Sequence, residues 1–345
     1  MYWFVSRLTK SKEIGALAGI LYMVMPYHLN DMYIRNALGE FLSYIFIPLV
    51  FLGLYKLFQK EKGGGILCVG AVGLILTHIL MTGLTAIIAS IYVLVNILKL
   101  KDKEILKQLG ISMICILGIS AFFWMPMLET YFSADYAVYQ KDSMATTESF
   151  NESGLDIKTL LYTDRKEETT HVFEIGIPIL LMLCLSVLAI KKGIDKNYKK
   201  EYILFLILGL ICTVITVKQF HWGIFEKIFQ IIQFKWRILL FSNFFFAVIC
   251  AITMGTLIKN FKNKDIIAIS SICILYLVIL MPLLQIDPEI QEIDQYTIGE
   301  VTEKKTETIV GMGKGEYLPV KSNDNREYIR TREHIPYILK GMRND

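Results

Sequence analysis

The chain has 345 residues, of which 54% are hydrophobic, and its mean hydropathy is +0.47. Soluble domains contain roughly 45–50% apolar residues, and the excess here is gathered in long uncharged blocks. Such blocks indicate helices that cross a membrane, and they exclude a transmembrane β-barrel, whose strands would alternate polar and apolar residues. The net charge of +4 is too small for this length to suggest a nucleic-acid partner.

In chain order, apolar blocks are predicted to form the transmembrane helices. A helix needs about 20 mainly apolar residues to cross the hydrocarbon core, and the shortest blocks reach this length only with their flanking residues. The predicted blocks are residues 14–28, 41–58, 66–80, 83–98, 108–128, 174–190, 202–217, 238–258 and 266–284. The predicted fold is therefore an all-α polytopic membrane protein with about nine transmembrane helices, because only helices remain to satisfy the backbone in lipid.

The distribution of Lys and Arg predicts the orientation in the membrane. Alternate loops contain about twice as many Lys and Arg as the loops between them, and cytoplasmic loops carry such an excess. The Lys- and Arg-rich loops are residues 7–12, 56–62, 99–107, 191–200 and 259–264. This pattern predicts a multi-pass membrane protein with its N-terminus in the cytoplasm and its C-terminus outside.

The chain is predicted to divide into a membrane domain, residues 1–284, and an extracytoplasmic tail, residues 285–345, with a short α/β structure. Within the membrane domain, the polar and acidic residues 129–173 predict a lid-like outer loop. Residues 218–237 place aromatic side chains near helical spacing and predict an amphipathic helix in the membrane interface. That helix would either anchor the protein in the interface or line a groove for a lipid substrate.

The segment PYHLNDMYIRNALGEF, residues 26–41, carries the most informative polar residues: His28, Asp31, Arg35 and Glu40. Asp31 and Arg35 are four positions apart and would share one face of a helix. Ionisable groups at membrane depth are costly unless paired or hydrated, and they are therefore candidates for a functional site. The alternative is an outer loop in water, where these charges cost little.

Three more residues are predicted to lie near the outer face. His78, in LTHILMTGLTA, falls between two closely spaced blocks and either caps a helix or reaches an outer site. Gln233 and Arg237 precede the block that starts at residue 238. Arg237 would extend to lipid headgroups or bind the phosphate of a lipid carrier, because guanidinium groups match phosphate oxygens.

Motifs for soluble cofactors are absent from the sequence. It contains no P-loop, no glycine-rich dinucleotide fingerprint, no HExxH and no nucleophile elbow. The cysteines lie singly in different apolar blocks, as small apolar side chains do, without a spacing that favours zinc or disulfides. No cofactor is therefore predicted from motifs, and the need for a divalent metal is left open.

Several segments together resemble a known family. PYHLNDMYIRNALGEFLSYIFIPLVFLGLY looks like the bacterial integral membrane proteins labelled 6-pyruvoyl-tetrahydropterin-synthase-related. LTHILMTGLTA, FFWMPMLE, IQFKWRIL and GKGEYLP resemble further segments of that family in the same order, so the resemblance covers nearly the whole chain. That family is similar to YfhO-like membrane proteins and, more remotely, to GT-C glycosyltransferases.

The resemblance implies a GT-C-like glycosyltransferase, or its membrane core, that modifies a cell-envelope glycan. The donor would be a polyprenyl-phosphate-linked sugar at the outer face. Asp31 or Glu40 would serve in catalysis, and Arg35 and Arg237 would hold the carrier phosphate, with His28, His78 and Gln233 as further binding residues. The usual acidic catalytic residue of such enzymes lies in the first outer loop, which is expected to precede this chain, so the chain is interpreted as a truncated member.

Two other functions remain open from the sequence. A non-catalytic membrane scaffold, or a fragment of a longer enzyme, fits the expected loss of the first outer loop. A transporter or flippase for a lipid-linked substrate would need charged residues and broken helices near the bilayer midplane, where this sequence has few ionisable residues. The residues do not specify the sugar, the acceptor, the carrier or the oligomeric state; the predicted partners are membrane lipids, a polyprenyl-phosphate carrier and an envelope glycan.

Overall fold

The structure is a computed structural model that describes residues 1–133, 147–161, 175–229 and 232–260. Within these ranges the chain forms helices and no β-strand, which confirms the all-α class. The helices are α1 (Tyr2–Thr9), α2 (Lys12–Met23), α3 (Pro26–Leu29), α4 (Leu38–Phe58), α5 (Gly64–Thr77), α6 (Ile79–Val95), α7 (Lys103–Ser133), α8 (Thr147–Glu152), α9 (Ile157–Leu161), α10 (Ile177–Lys192), α11 (Lys199–Val214), α12 (Glu226–Phe229) and α13 (Leu239–Asn260).

Every predicted apolar block up to residue 258 overlaps one of these helices. Three of the described helices are long and apolar enough to cross a membrane: Leu38–Phe58, Lys103–Ser133 and Lys235–Asn260, the last including the turn before α13. The block 266–284 and the tail 285–345 lie outside the described residues. The count of about nine crossings and the α/β tail therefore stay predictions.

The described residues belong to two compact units. Those of the first unit lie within Met1–Trp124, Ser153–Trp222 and Lys235–Ile286. The second unit includes Met125–Glu152 and Gly223–Phe234, where the described α-helices are α8, α12 and the last turns of α7.

Helix α13 forms the centre of the first unit. Its side chains from Leu239 to Met254 are buried, and it packs against α2, α10 and α11. The Phe244 ring lies 4.9 Å from that of Phe51 on α4, and the Phe245 ring lies 5.3 Å from that of Phe205 on α11. Burial of these aromatic rings is a large stabilising contribution to the unit.

Helix α7 has the opposite character, because little of its apolar surface is buried. Ile114 and Phe122 expose 73% and 69% of their surface. A helix with apolar side chains on this much of its surface is suited to contact with lipid rather than with water. This exposure supports the membrane location predicted from the sequence.

Two ion pairs and a hydrogen bond join residues of four predicted cytoplasmic loops to their neighbours at one end of the first unit. Loop side chains there contact each other across helix ends that are distant in sequence. The contacts are Arg7 with Glu61, Lys60 with Asp102 (2.6 Å) and Lys200 with Asn96 (2.9 Å). Because α4 runs from Glu40 to this end, Glu40 lies at the other end of the unit.

The sequence predicted one amphipathic helix over residues 218–237, and this prediction is wrong. Its described residues form a short 3-10 turn at Gly223–Phe225, then α12, then a second 3-10 turn at Lys235–Ile238. The backbone has a left-handed φ of 55° at Gly223 and 71° at Gln233. Such residues interrupt a right-handed helix, which is the physical reason for the difference.

Candidate functional site

A compact turn between α3 and α4 brings the polar residues of the first motif together. The chain forms a π-helical turn at Asn30–Ile34, in which the Arg35 N–H donates to the Asn30 carbonyl at 2.8 Å. Asn36 then adopts a left-handed φ of 51°, and the Ala37 N–H donates to the Asp31 carbonyl at 2.9 Å. π-Helical turns are rare and are found often at functional sites.

The turn places Arg35 at the centre of a group of polar contacts. One of its terminal nitrogens donates to Asp31 and, at 3.1 Å, to the Tyr27 hydroxyl; the other donates to Glu40 Oε2 at 3.1 Å. The Tyr27 hydroxyl donates to Glu40 Oε1 at 2.5 Å. The guanidinium lies over Trp236, 4.1 Å from the ring centroid, which adds a cation–π contact.

A second arginine reaches the same carboxylate from the far end of the sequence. The 3-10 turn Lys235–Ile238 leads into α13 and carries Trp236 and Arg237. Arg237 Nε lies 3.5 Å from Glu40 Oε2. We refer to the six residues that meet here as the charge cluster: Tyr27, Asp31, Arg35, Glu40, Trp236 and Arg237.

The charge cluster is buried and electrically balanced. The side chains of Asp31 and Glu40 expose 0% and 1% of their surface, and those of Arg35 and Arg237 expose 10% and 11%. Two carboxylates therefore face two guanidinium groups away from water. Buried charges are tolerated when they are paired and hydrogen-bonded in this way.

The two carboxylates have different surroundings. Both oxygens of Glu40 accept hydrogen bonds, whereas Asp31 Oδ2 is buried and has no hydrogen-bond partner within the described part of the chain. Burial and then the negative charge of Glu40 raise the pKa of Asp31 well above its usual value, while Arg35 and Arg237 act in the opposite direction. Asp31 therefore takes up a proton more easily than an aspartate in water does.

His78 lies beside the cluster, at the corner between α5 and α6. A Cβ on Gly39 would be 2.8 Å from the Thr77 carbonyl oxygen and 3.2 Å from the His78 ring, so glycine permits this close approach. The Met81 N–H donates to His78 Nδ1 at 3.3 Å.

Two other predicted site residues have different positions. His28 stacks on Tyr44 and Phe41, with ring centroids 4.1 Å and 5.1 Å away, and its Nδ1 contacts the Met23 carbonyl at 2.9 Å. Gln233 belongs to the second unit. The structure thus brings together Asp31, Arg35, Glu40 and Arg237, with His78 next to them.

Sequence reasoning missed Tyr27 and Trp236 as site residues. Aromatic residues beside an apolar block are usually interface anchors, which hides those that hold a charged group. The useful signal is that each lies within one or two helical turns of a charged residue of the cluster. The described residues contain no group of three or more His, Cys, Asp or Glu side chains placed to hold a metal ion.

Comparison with known proteins identifies the family. Residues 1–291 match the 6-pyruvoyl-tetrahydropterin synthase related domain, which is described as a membrane protein. The chain belongs to this family. The family resemblance and the membrane location predicted from the sequence are thereby confirmed.

One curated relative is an uncharacterized protein of Lactococcus lactis subsp. cremoris (strain MG1363). It is 33% identical over 140 residues, which cover 39% of this chain and 23% of the relative. The match thus spans less than a quarter of that relative's length. No solved structure matches the chain.

Proposed function

We propose that this membrane protein is a GT-C-like glycosyltransferase, or the membrane core of one, that uses a polyprenyl-phosphate-linked sugar at the outer face of a bacterial plasma membrane. The observation that carries the proposal is the convergence of Arg35 and Arg237 on one carboxylate, Glu40. The two arginines come from opposite ends of the described sequence and meet away from the Lys-rich loops. The acceptor would be a glycan of the cell envelope.

The chemistry of the cluster suits the transfer of a glycosyl group. A carboxylate, Asp31 or Glu40, would take the proton of an acceptor hydroxyl as its oxygen forms a bond to the anomeric carbon. The bond from that carbon to the carrier phosphate breaks, and its electron pair leaves with the phosphate. Guanidinium groups stabilise the charge that develops on the phosphate oxygens.

The test is transfer of labelled sugar from a polyprenyl-phosphate donor by the purified protein in liposomes. Arg35→Ala is expected to lower the rate by about 100-fold or more, the effect typical of removing one group that stabilises developing charge. Arg7→Ala is the matched control, because Arg7 pairs with Glu61 at the other end of the unit, and its rate should equal that of the wild type. Equal transfer by the wild type and Arg35→Ala would contradict the assignment.

The nearly complete burial of the charge cluster favours a second candidate, a non-catalytic membrane scaffold. In that case the ion pairs would serve only to fasten the turn before α4 to the turn before α13. A folded wild-type protein that transfers no sugar, while Arg35→Ala lowers its unfolding temperature, would favour the scaffold over the enzyme.

A further inference from the structure

We propose that binding of a phosphate group by the charge cluster is coupled to uptake of one proton by Asp31, so that anion and proton enter the site together. This inference rests on the phosphate site of the proposed function. It adds a proton-linked step that determines how binding depends on pH.

The charge balance of the cluster is the first reason. Two guanidinium groups already face two carboxylates in a buried site, so a bound monoanion would leave one uncompensated negative charge. An uncompensated charge away from water is costly, and buried groups change their protonation to avoid it. A proton on one carboxylate restores neutrality, and a proton on Asp31 releases the terminal nitrogen of Arg35 that faces it to bind the phosphate.

The hydrogen bonds indicate which carboxylate takes the proton. Glu40 accepts hydrogen bonds from the Tyr27 hydroxyl at 2.5 Å and from Arg35 at 3.1 Å, and Arg237 lies 3.5 Å away. Asp31 is bonded to Arg35 through Oδ1, while its Oδ2 is buried and has no hydrogen-bond partner among the described residues. Since hydrogen bonds to the charged form of a carboxylate favour that form, the proton is assigned to Asp31, whose Oδ2 lacks one.

The ionisable groups that face Asp31 come from each element packed around it. They are Tyr27 on α3, Arg35 after the π-helical turn, Glu40 and Tyr44 on α4, and Arg237 before α13. The burial and the charges that raise the pKa of Asp31 agree with this assignment. A protonated Asp31 cannot take a second proton, so Glu40 is the candidate base for the acceptor hydroxyl.

Calorimetry on the full chain in lipid nanodiscs tests the coupling. The probe is methyl citronellyl phosphate, a phosphodiester whose single charge does not change over the range used. Titrations in two buffers with different enthalpies of protonation give the number of protons taken up. We expect uptake of up to one proton per anion bound, and an affinity that falls by up to about tenfold per pH unit as the pH rises.

Two variants locate the proton. Asp31→Asn removes the site of uptake, so it should bind the probe with little proton uptake, a flat pH profile and higher affinity than the wild type at high pH. Asp195→Asn makes the same change of charge between α10 and α11, where Asp195 accepts a hydrogen bond from the Asn197 N–H, and it should keep the wild-type profile.

The outcomes separate the inference from the proposed function. Probe binding without proton uptake and with a flat pH profile would overturn the coupling and leave the phosphate site intact. Full proton uptake in Asp31→Asn would overturn the assignment to Asp31. Failure of the wild type to bind the probe at any pH would overturn the phosphate site itself. If Asp31→Asn does not fold, the two-buffer measurement on the wild type still decides whether a proton is taken up.

Discussion

Arg35 shows how a single side chain organises a buried polar site. Its planar guanidinium donates to Asp31 and Glu40 along two directions and stacks on Trp236 with its face. A lysine at this position would provide a point charge without the fork or the flat surface. The two carboxylates are tolerated in the interior because each has a guanidinium partner with the right geometry.

Loss of one carboxylate should destabilise the protein strongly. Glu40→Gln removes the carboxylate that Arg35 and Arg237 both contact, and breaking a buried ion pair costs about 3–5 kcal/mol. The measurement is chemical unfolding in detergent micelles. Glu61→Gln is the control, because Glu61 pairs with the half-exposed Arg7 and such pairs contribute about 0–1 kcal/mol. Equal losses in the two variants would mean that the cluster adds little stability.

At the scale of elements, glycines permit the close contact of α4 and α5. A Cβ on Gly53 would lie 2.6 Å from the Leu67 backbone nitrogen, and a Cβ on Gly70 would lie 2.7 Å from the Val50 nitrogen. Backbone atoms cannot move aside as flexible side chains do. This contact fixes α4 beside the corner where His78 meets Gly39, and thus helps to position Glu40.

Opposite effects are expected from alanine at two glycines of this helix pair. Gly53→Ala forces the two backbones apart and should lower stability by about 1–3 kcal/mol, as overpacking does. Gly65→Ala, on α5 with open space around its Cβ, should raise stability by about 0.5–1 kcal/mol because alanine favours the helix. Unfolding curves of both variants in micelles provide the comparison. Stabilisation by Gly53→Ala would show that the helices are not held at this distance.

At the scale of the whole molecule, α4 separates two ends of different character. Lys- and Arg-rich loops contact each other at one end, and the charge cluster lies at the other. An excess of Lys and Arg marks cytoplasmic loops, so the cluster is predicted to face the outside of the cell. The family assignment and the apolar helices place the chain in a membrane.

Cysteine labelling in intact cells tests this orientation. In a background without native cysteines, Met32→Cys should react with a membrane-impermeant maleimide, because Met32 is exposed in the turn next to the cluster. Lys103→Cys and Lys196→Cys should react only after the cells are opened. The reverse pattern would put the cluster in the cytoplasm and remove the support for an outer-face sugar donor.

The sequence alone determined the helical class, the family and the residues that bear charge near the start of α4. These features are local: uninterrupted apolar residues force the backbone to bond within a helix, and a fixed order of short motifs identifies relatives. The same local reasoning failed at 218–237, because the spacing of aromatic residues does not reveal which residues adopt a left-handed backbone conformation and interrupt the helix. The tertiary structure alone decided that Arg237 meets Glu40, that Tyr27 and Trp236 complete the cluster, and that His28 stacks among aromatic rings. Those contacts depend on how distant helices pack, and no spacing along the chain encodes that packing directly.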